Sequence, residues 1–221
     1  MTSPLVLLDL DGTLMDSGPG ITLSVVRAYE ILGLAVPDAT ALRSFIGPPI
    51  PTSFAAHGVP AARIDEAVLA YRGESVTRMI SHNGVYDGIA EVLTELRAAG
   101  LRLVVATSKP AIYARPICDW FGLTERVDAI FGAPDDEATS TKAAVIAEAL
   151  AAFPVAESGV LMVGDREHDV LGARAHGVDT VGVTWGYAAP GELSAAGAVE
   201  LVSSPAALTA AILRRLVAHG A

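Results

Sequence analysis

The sequence predicts an α/β fold, an open and doubly wound parallel sheet of Rossmann-like type with an all-helical block inserted after its first strand. Three observations carry this expectation. Leu5 to Leu8 is an apolar run without polar alternation, which suits a strand buried on both faces of a parallel sheet. Similar runs recur after residue 83, separated by stretches of helical periodicity and short loops. Residues 17–83 break that rhythm, with helical spacing and no strong strand signal.

In chain order, 5–9 is the first strand, and the inserted block follows with helices at 19–32, 38–46, 51–57 and 61–80. Gly and turn residues cluster at 16–20 and 83–87. Hinges there divide the chain into a core of residues 1–16 and 84–221 and a lid-like domain of residues 17–83. The segment 88–100 sets Ile89, Val92, Leu93 and Leu96 on one helical face and stops at Gly100, a natural helix terminator. Strands then read at 101–107, 128–132, 159–164, 178–184 and, weakly, 199–202, with helices at 111–121, 141–152, 166–176 and 205–218. In such sheets ligands sit beyond the carboxyl ends of the strands. Four polar groupings fall there.

The first is Asp9 and Asp11, one residue apart at the end of an apolar strand and followed by Gly12 and Thr13. Two carboxylates on one side of a strand end repel unless a cation sits between them. A carboxylate can attack phosphorus and form an aspartyl-phosphate, and a second can protonate the leaving oxygen and then activate water. The second grouping, Thr107-Ser108-Lys109, closes the strand LVVAT with a hydroxyl and a backbone N–H suited to phosphate oxygens. The third is Lys142, in the first turn of a predicted helix, where a cation opposes the helix dipole. The fourth is VGDREHD, in which Asp165 follows a strand and Asp169 lies one helical turn on. Hard oxygen ligands from that pair, with Asp9, suit Mg²⁺.

Bulk composition narrows the partners. A formal net charge of −10 over 221 residues argues against a nucleic-acid backbone or an anionic membrane surface. No segment approaches the roughly 18 apolar residues of a membrane helix, and no signal-peptide pattern opens the sequence. A single cysteine, Cys118, excludes an internal disulfide and suits a reducing compartment, so a cytoplasmic location is expected.

In this order, DLDGT, ATSK, the TKAAVI lysine and GDREHD resemble the four motifs of the haloacid dehalogenase superfamily of aspartate-nucleophile phosphotransferases. The phrases GVYDGI, TSKP and GVTWGY are similar to its phosphoglycolate-phosphatase-like branch, and FIGPP with the GDREHD segment to members labelled 5′-nucleotidase-like. The resemblance covers essentially the whole chain and implies a five-stranded core sheet centred on the first-motif strand, with residues 17–83 as a helical cap. It implies Asp9 as nucleophile, Asp11 as general acid and base, and Thr107 and Ser108 as phosphoryl contacts. Lys142 would neutralise charge. Mg²⁺ would be held by Asp9, the Asp11 carbonyl, Asp165 and Asp169, the last directly or through water.

The expected activity is hydrolysis of a small phosphorylated metabolite, with nucleoside monophosphates preferred, by a monomer or homodimer. Phosphoglycolate phosphatase, a phosphomutase like β-phosphoglucomutase, and a non-enzymatic aspartyl-phosphate acceptor are the alternatives. Phe45 and Tyr71, which offer aromatic faces, and Arg72 are the candidate contacts to the leaving group. Trp185 and Tyr187 are placed near the mouth of the site, and His168 is expected to face solvent.

Overall fold

A computed structural model describes residues 3–134, 141–154 and 159–217. The chain opens with β1 (Leu5–Leu8) and a short β2 (Met15–Asp16), then runs through α1 (Gly18–Leu32), α2 (Ala39–Arg43), α3 (Ile50–Ala56), α4 (Ile64–Arg72) and α5 (Ser75–His82). It returns by β3 (Gly84–Val85) to α6 (Ile89–Ala98), β4 (Arg102–Pro110), α7 (Ala111–Trp120), β5 (Ala129–Ala133), α8 (Lys142–Ala152), β6 (Val160–Gly164) and α9 (Glu167–Arg174). β7 (Asp179–Val183), α10 (Glu192–Ala196), β8 (Glu200–Val202) and α11 (Pro205–Val217) complete it. The last residue of the predicted helix 205–218 lies outside the described residues.

Six strands form one sheet in the order β5-β4-β1-β6-β7-β8, and every pair is parallel. The weak 199–202 signal is thus a sixth strand beside the five that the resemblance implies. β1 is central, with Leu7 in register with Val104 on one side and Met162 on the other. Its apolar run reflects two buried faces: Leu5 and Leu7 pack with Val145, Ile146 and Ala149 of α8, whereas Val6 and Leu8 join the cluster that holds α6, α7 and α11. Cys118 is buried in that second layer.

The inserted helices enclose a ring cluster. Phe45 stands between Tyr29 at 6.4 Å and Phe54 at 5.5 Å, and Phe54 meets Tyr71 at 6.4 Å, all edge-on except the Tyr29–Phe54 contact. Two expectations change here. The single helix at 61–80 is instead a short 3₁₀ turn followed by α4 and α5, broken at Gly73–Glu74, where Glu74 takes a left-handed φ of 59°. Second, two short strands that the sequence does not signal, β2 and β3, pair as an antiparallel ladder where the two hinge segments begin, Met15 opposite Val85 and Asp16 opposite Gly84. Strands of two residues fall below the length at which side-chain alternation gives a signal.

Candidate active site

All four groupings meet at the carboxyl ends of β1, β4 and β6. Asp9 N still bonds Val163 O at 2.9 Å, so β1 delivers the Asp9 side chain from the last rung of the ladder. The chain then folds into a tight turn, with Leu14 N and Met15 N both bonded to Leu10 O at 3.0 Å. Gly12 makes this turn possible twice over. Its φ is +91°, and a Cβ there would lie 2.2 Å from Asp165 Oδ2.

β4 shifts register against β5 between Thr107 and Pro110, and this irregularity turns Thr107, Ser108 and Lys109 toward the site. Gly132 gives the bulge room, since a Cβ on it would come within 2.5 Å of Lys109 O. α8 begins at Lys142 with Thr141 as its cap, the Thr141 side chain accepting from Ala144 N at 3.2 Å.

The carboxylates of Asp9, Asp165 and Asp169 are buried and each offers an oxygen within 4.8 Å of the others. Lys142 Nζ lies among them, 2.5 Å from Asp9 Oδ1 and 2.7 Å from Asp169 Oδ1, and it donates to Ala106 O at 2.9 Å. Asp165 accepts from Tyr187 N at 2.7 Å and from Thr13 Oγ1 at 3.4 Å. Asp169 Oδ2 accepts from Arg166 N at 3.1 Å. Burial pushes the Asp9 carboxyl up to about 7, with Lys142 opposing and Asp169 and Asp11 adding to the rise. Asp165 is also raised well above the usual carboxylate range, by burial first and then by Asp9 and Asp169. Lys142 loses charge stability to burial, but Asp169 and Asp9 more than restore it and its pKa lies above the ordinary lysine value. Three buried acids around one lysine carry excess negative charge, which fits a hard divalent cation.

Asp11 stands apart. Its carboxylate pairs with Lys109 Nζ at 2.5 Å and is not part of the buried trio. A narrow pit is lined by Asp9, Asp11, Thr107, Ser108, Lys142 and Asp169. Asp11, Ser108 and Lys109 also line a cavity of about 50 Å³ beneath the inserted helices, walled by Phe45, Pro49, Ile50, Tyr71, Arg72 and Tyr113.

Of the leaving-group candidates, Arg72 reaches this cavity with its guanidinium 5.5 Å from the Tyr113 ring. Phe45 forms part of the wall but is only 1% exposed, because its faces pack on Tyr29, Phe54 and, at 4.7 Å, His57. A base cannot stack on it in this arrangement. His168 does not simply face solvent: it lines the pit. Trp185 Nε1 donates to Thr13 O at 3.1 Å, and the Tyr187 hydroxyl accepts from Gly18 N at 2.6 Å and donates to Asp16. These two residues brace the turn and the start of the insertion.

Two site residues escaped the sequence reading. Lys109 was visible as the third residue of the Thr107 grouping, but its pairing with Asp11 spans 98 positions. Arg166 lay within the fourth grouping and carried no periodic or spacing signal.

A doubly wound sheet whose central strand presents an aspartate to a lysine and two further buried aspartates defines a class of hydrolase-type phosphoryl sites. The model for haloacid dehalogenase-like hydrolases matches residues 6–183, and the chain belongs to that family. It is 42% identical over 193 residues to a 5'-nucleotidase of Pseudomonas aeruginosa, covering 87% of each chain. It is 43% identical over 183 residues to the tyrosine-protein kinase PtkA of Mycobacterium tuberculosis, covering 83% of this chain and 62% of that one. The chain therefore spans less than two thirds of that relative's length. The crystal structure of a predicted phosphatase from Clostridium acetobutylicum superposes with a TM-score of 0.90 at 38% identity, covering 97% of this chain and 100% of that one. Among the described residues no helix is long and apolar enough to cross a membrane.

Proposed function

We propose that the protein is a Mg²⁺-dependent phosphomonoesterase acting on small phosphorylated metabolites. The observation that carries this reading is Asp9, held 2.5 Å from Lys142 in a pit lined also by Asp11, Thr107 and Ser108. Asp9 attacks phosphorus, the P–O bond to the leaving group breaks, and Asp11 delivers a proton to the departing oxygen. Asp11 then takes a proton from the water that cleaves the aspartyl-phosphate. Lys142 orients Asp9, while Thr107 and Ser108 hold the phosphoryl oxygens. Asp9, Asp165, Asp169 and the Asp11 carbonyl would hold the metal, which when bound offsets the negative charge of the phosphoryl group. Residues 17–83 act as a lid domain over the core, with β2 and β3 as its hinge.

Within that class, nucleoside monophosphates are the substrates supported by the similarity to the Pseudomonas aeruginosa 5'-nucleotidase and by the largely apolar cavity wall. The cavity, of about 50 Å³, is partly open to solvent, so a nucleoside would extend beyond it. One observation favours a second reading: Arg72 lines the same cavity, and a guanidinium suits a small leaving group with its own acid. A hydrolysis panel with Mg²⁺ tests both, containing nucleoside monophosphates, phosphoglycolate and phosphotyrosine. Higher kcat/KM for a nucleotide supports the first, and a tenfold advantage for phosphoglycolate selects the second. Turnover of none of them refutes the phosphatase reading. Phosphotyrosine is included because the Mycobacterium tuberculosis relative is named a tyrosine-protein kinase.

A further inference from the structure

Arg166 is placed where none of the proposed chemical steps requires it. Its Nη1 donates to Ile46 O in the inserted block at 2.5 Å, and its Nε pairs with Glu192 Oε1 on the core at 2.8 Å. Glu192 is itself fixed, accepting from Glu167 N and Ala189 N at 2.9 Å each. Both side chains are well shielded, Arg166 at 16% exposure and Glu192 at 12%. A planar guanidinium held this way joins the two parts of the molecule with little side-chain freedom left to lose. Its own backbone N–H bonds Asp169, so the same residue is registered to the carboxylate trio.

The residue that packs on the guanidinium is Gly47. Its φ is +109°, and a Cβ there would lie 3.0 Å from Arg166 Nη1. Gly47 lines the phosphoryl pit, the cavity beneath the insertion, and a wider groove toward Thr141 and Leu171. With Ser108, it borders all three spaces, so its position bears on how far the pit is open to solvent.

We propose that Arg166 is a positioning residue that latches the loop 45–49 over the phosphoryl pit through the Ile46 carbonyl, with Glu192 as its anchor. This deepens the phosphatase reading and rests on it for the kinetic consequence. A hydrogen bond from a charged donor shifts an open–closed equilibrium by about 10–100-fold. Only the closed form excludes water from the reacting group, so loss of the latch lowers kcat and leaves KM nearly unchanged.

The test uses the full chain with Mg²⁺ and two readouts, steady-state hydrolysis of p-nitrophenyl phosphate and hydrogen exchange of the Phe45, Ile46 and Gly47 amides. In the structure Phe45 N and Ile46 N bond Leu42 O and Arg43 O at 3.2 Å, so their exchange reports whether the loop is seated. Arg166→Ala is expected to speed exchange there at least tenfold and to lower kcat about tenfold or more, with KM within threefold of wild type. Arg166→Lys keeps one donor for the Ile46 carbonyl and should recover exchange to within threefold. Glu192→Gln, which loosens the anchor from the other side, supplies the comparison if Arg166→Ala does not fold. Wild-type exchange at these amides in a folded Arg166→Ala or Glu192→Gln protein would overturn the latch. A wild-type protein that hydrolyses no phosphomonoester would sink the phosphatase reading, and the exchange comparison would still decide the latch.

Discussion

Replacing Lys142 with methionine removes the cation around which the acidic cluster is arranged. Its Nζ lies 2.5 Å from Asp9 and 2.7 Å from Asp169, and its side chain is 5% exposed. Methionine preserves the aliphatic stem that packs near Gly172 but leaves two buried carboxylates without their partner. Breaking a buried ion pair from one side costs about 3–5 kcal/mol. Unfolding entropy of roughly 2.1 cal/mol/K per residue over 221 residues converts this to a fall in Tm of roughly 6–11 °C. Part of that loss returns in acid, because Asp9, already held up to about 7, accepts a proton more readily without Lys142 beside it. Calorimetry in excess chelator at neutral and at mildly acidic pH measures both effects. An unchanged Tm at neutral pH would show that Lys142 does not balance the cluster, and the account of the site's electrostatics would fail with it.

Other outcomes follow from the same geometry. Asp9→Asn should abolish hydrolysis of an aryl phosphate, since an amide is not a nucleophile toward phosphorus; wild-type rates would refute the assigned role. Asp11→Asn should slow turnover about 10²–10⁴-fold while Mg²⁺ affinity, read by calorimetric titration, stays near wild type. Gly12→Ala drives a Cβ to 2.2 Å from Asp165 Oδ2 at a φ of +91°, so it should weaken Mg²⁺ binding as well as stability, and an intact metal isotherm would contradict that packing. For the metal-free protein, the raised Asp9 pKa means that its contribution to stability is full below the ordinary value of 3.8 and is lost as pH rises through about 7. Asp165 acts in the same direction. The gain in Tm on adding Mg²⁺ should therefore be larger at about pH 8 than at about pH 5, and a gain independent of pH would separate the metal from these carboxylates.

The sheet and the strand-end cluster of the candidate site were legible because both are written locally. An apolar strand buried on two faces needs only its own four residues to declare itself, and Asp9 lies one residue beyond. The same holds for Thr107, at the irregularity near the end of β4, and Asp165 after β6: each sits toward a strand's carboxyl end, and a parallel sheet brings all those ends to one edge. Topology does the assembling, so no long-range contact had to be foreseen. The helical block was legible as helices but not in its breaks, because Gly73–Glu74 stops a helix through one left-handed residue that has no compositional signature beyond a single glycine.

What escaped depends on contacts between the core and the insertion, and those are set by packing rather than by period. Phe45 looked like a platform for a base because an aromatic beside Gly-Pro-Pro suggests an exposed edge. Its ring is instead consumed by Tyr29, Phe54 and His57, three residues that only the folding of α1 and α3 brings together. Lys109 and Arg166 show the converse. Each lies within a motif without a role of its own in the sequence, yet the partners that occupy it, Asp11 and the Ile46 carbonyl, are 98 and 120 positions away. Both cations line the pit, and Lys109 also lines the cavity beneath the inserted helices. On the proposed reading, the strand-end residues set which bond is broken, and those two long-range contacts bear on how the site is closed and held while it breaks.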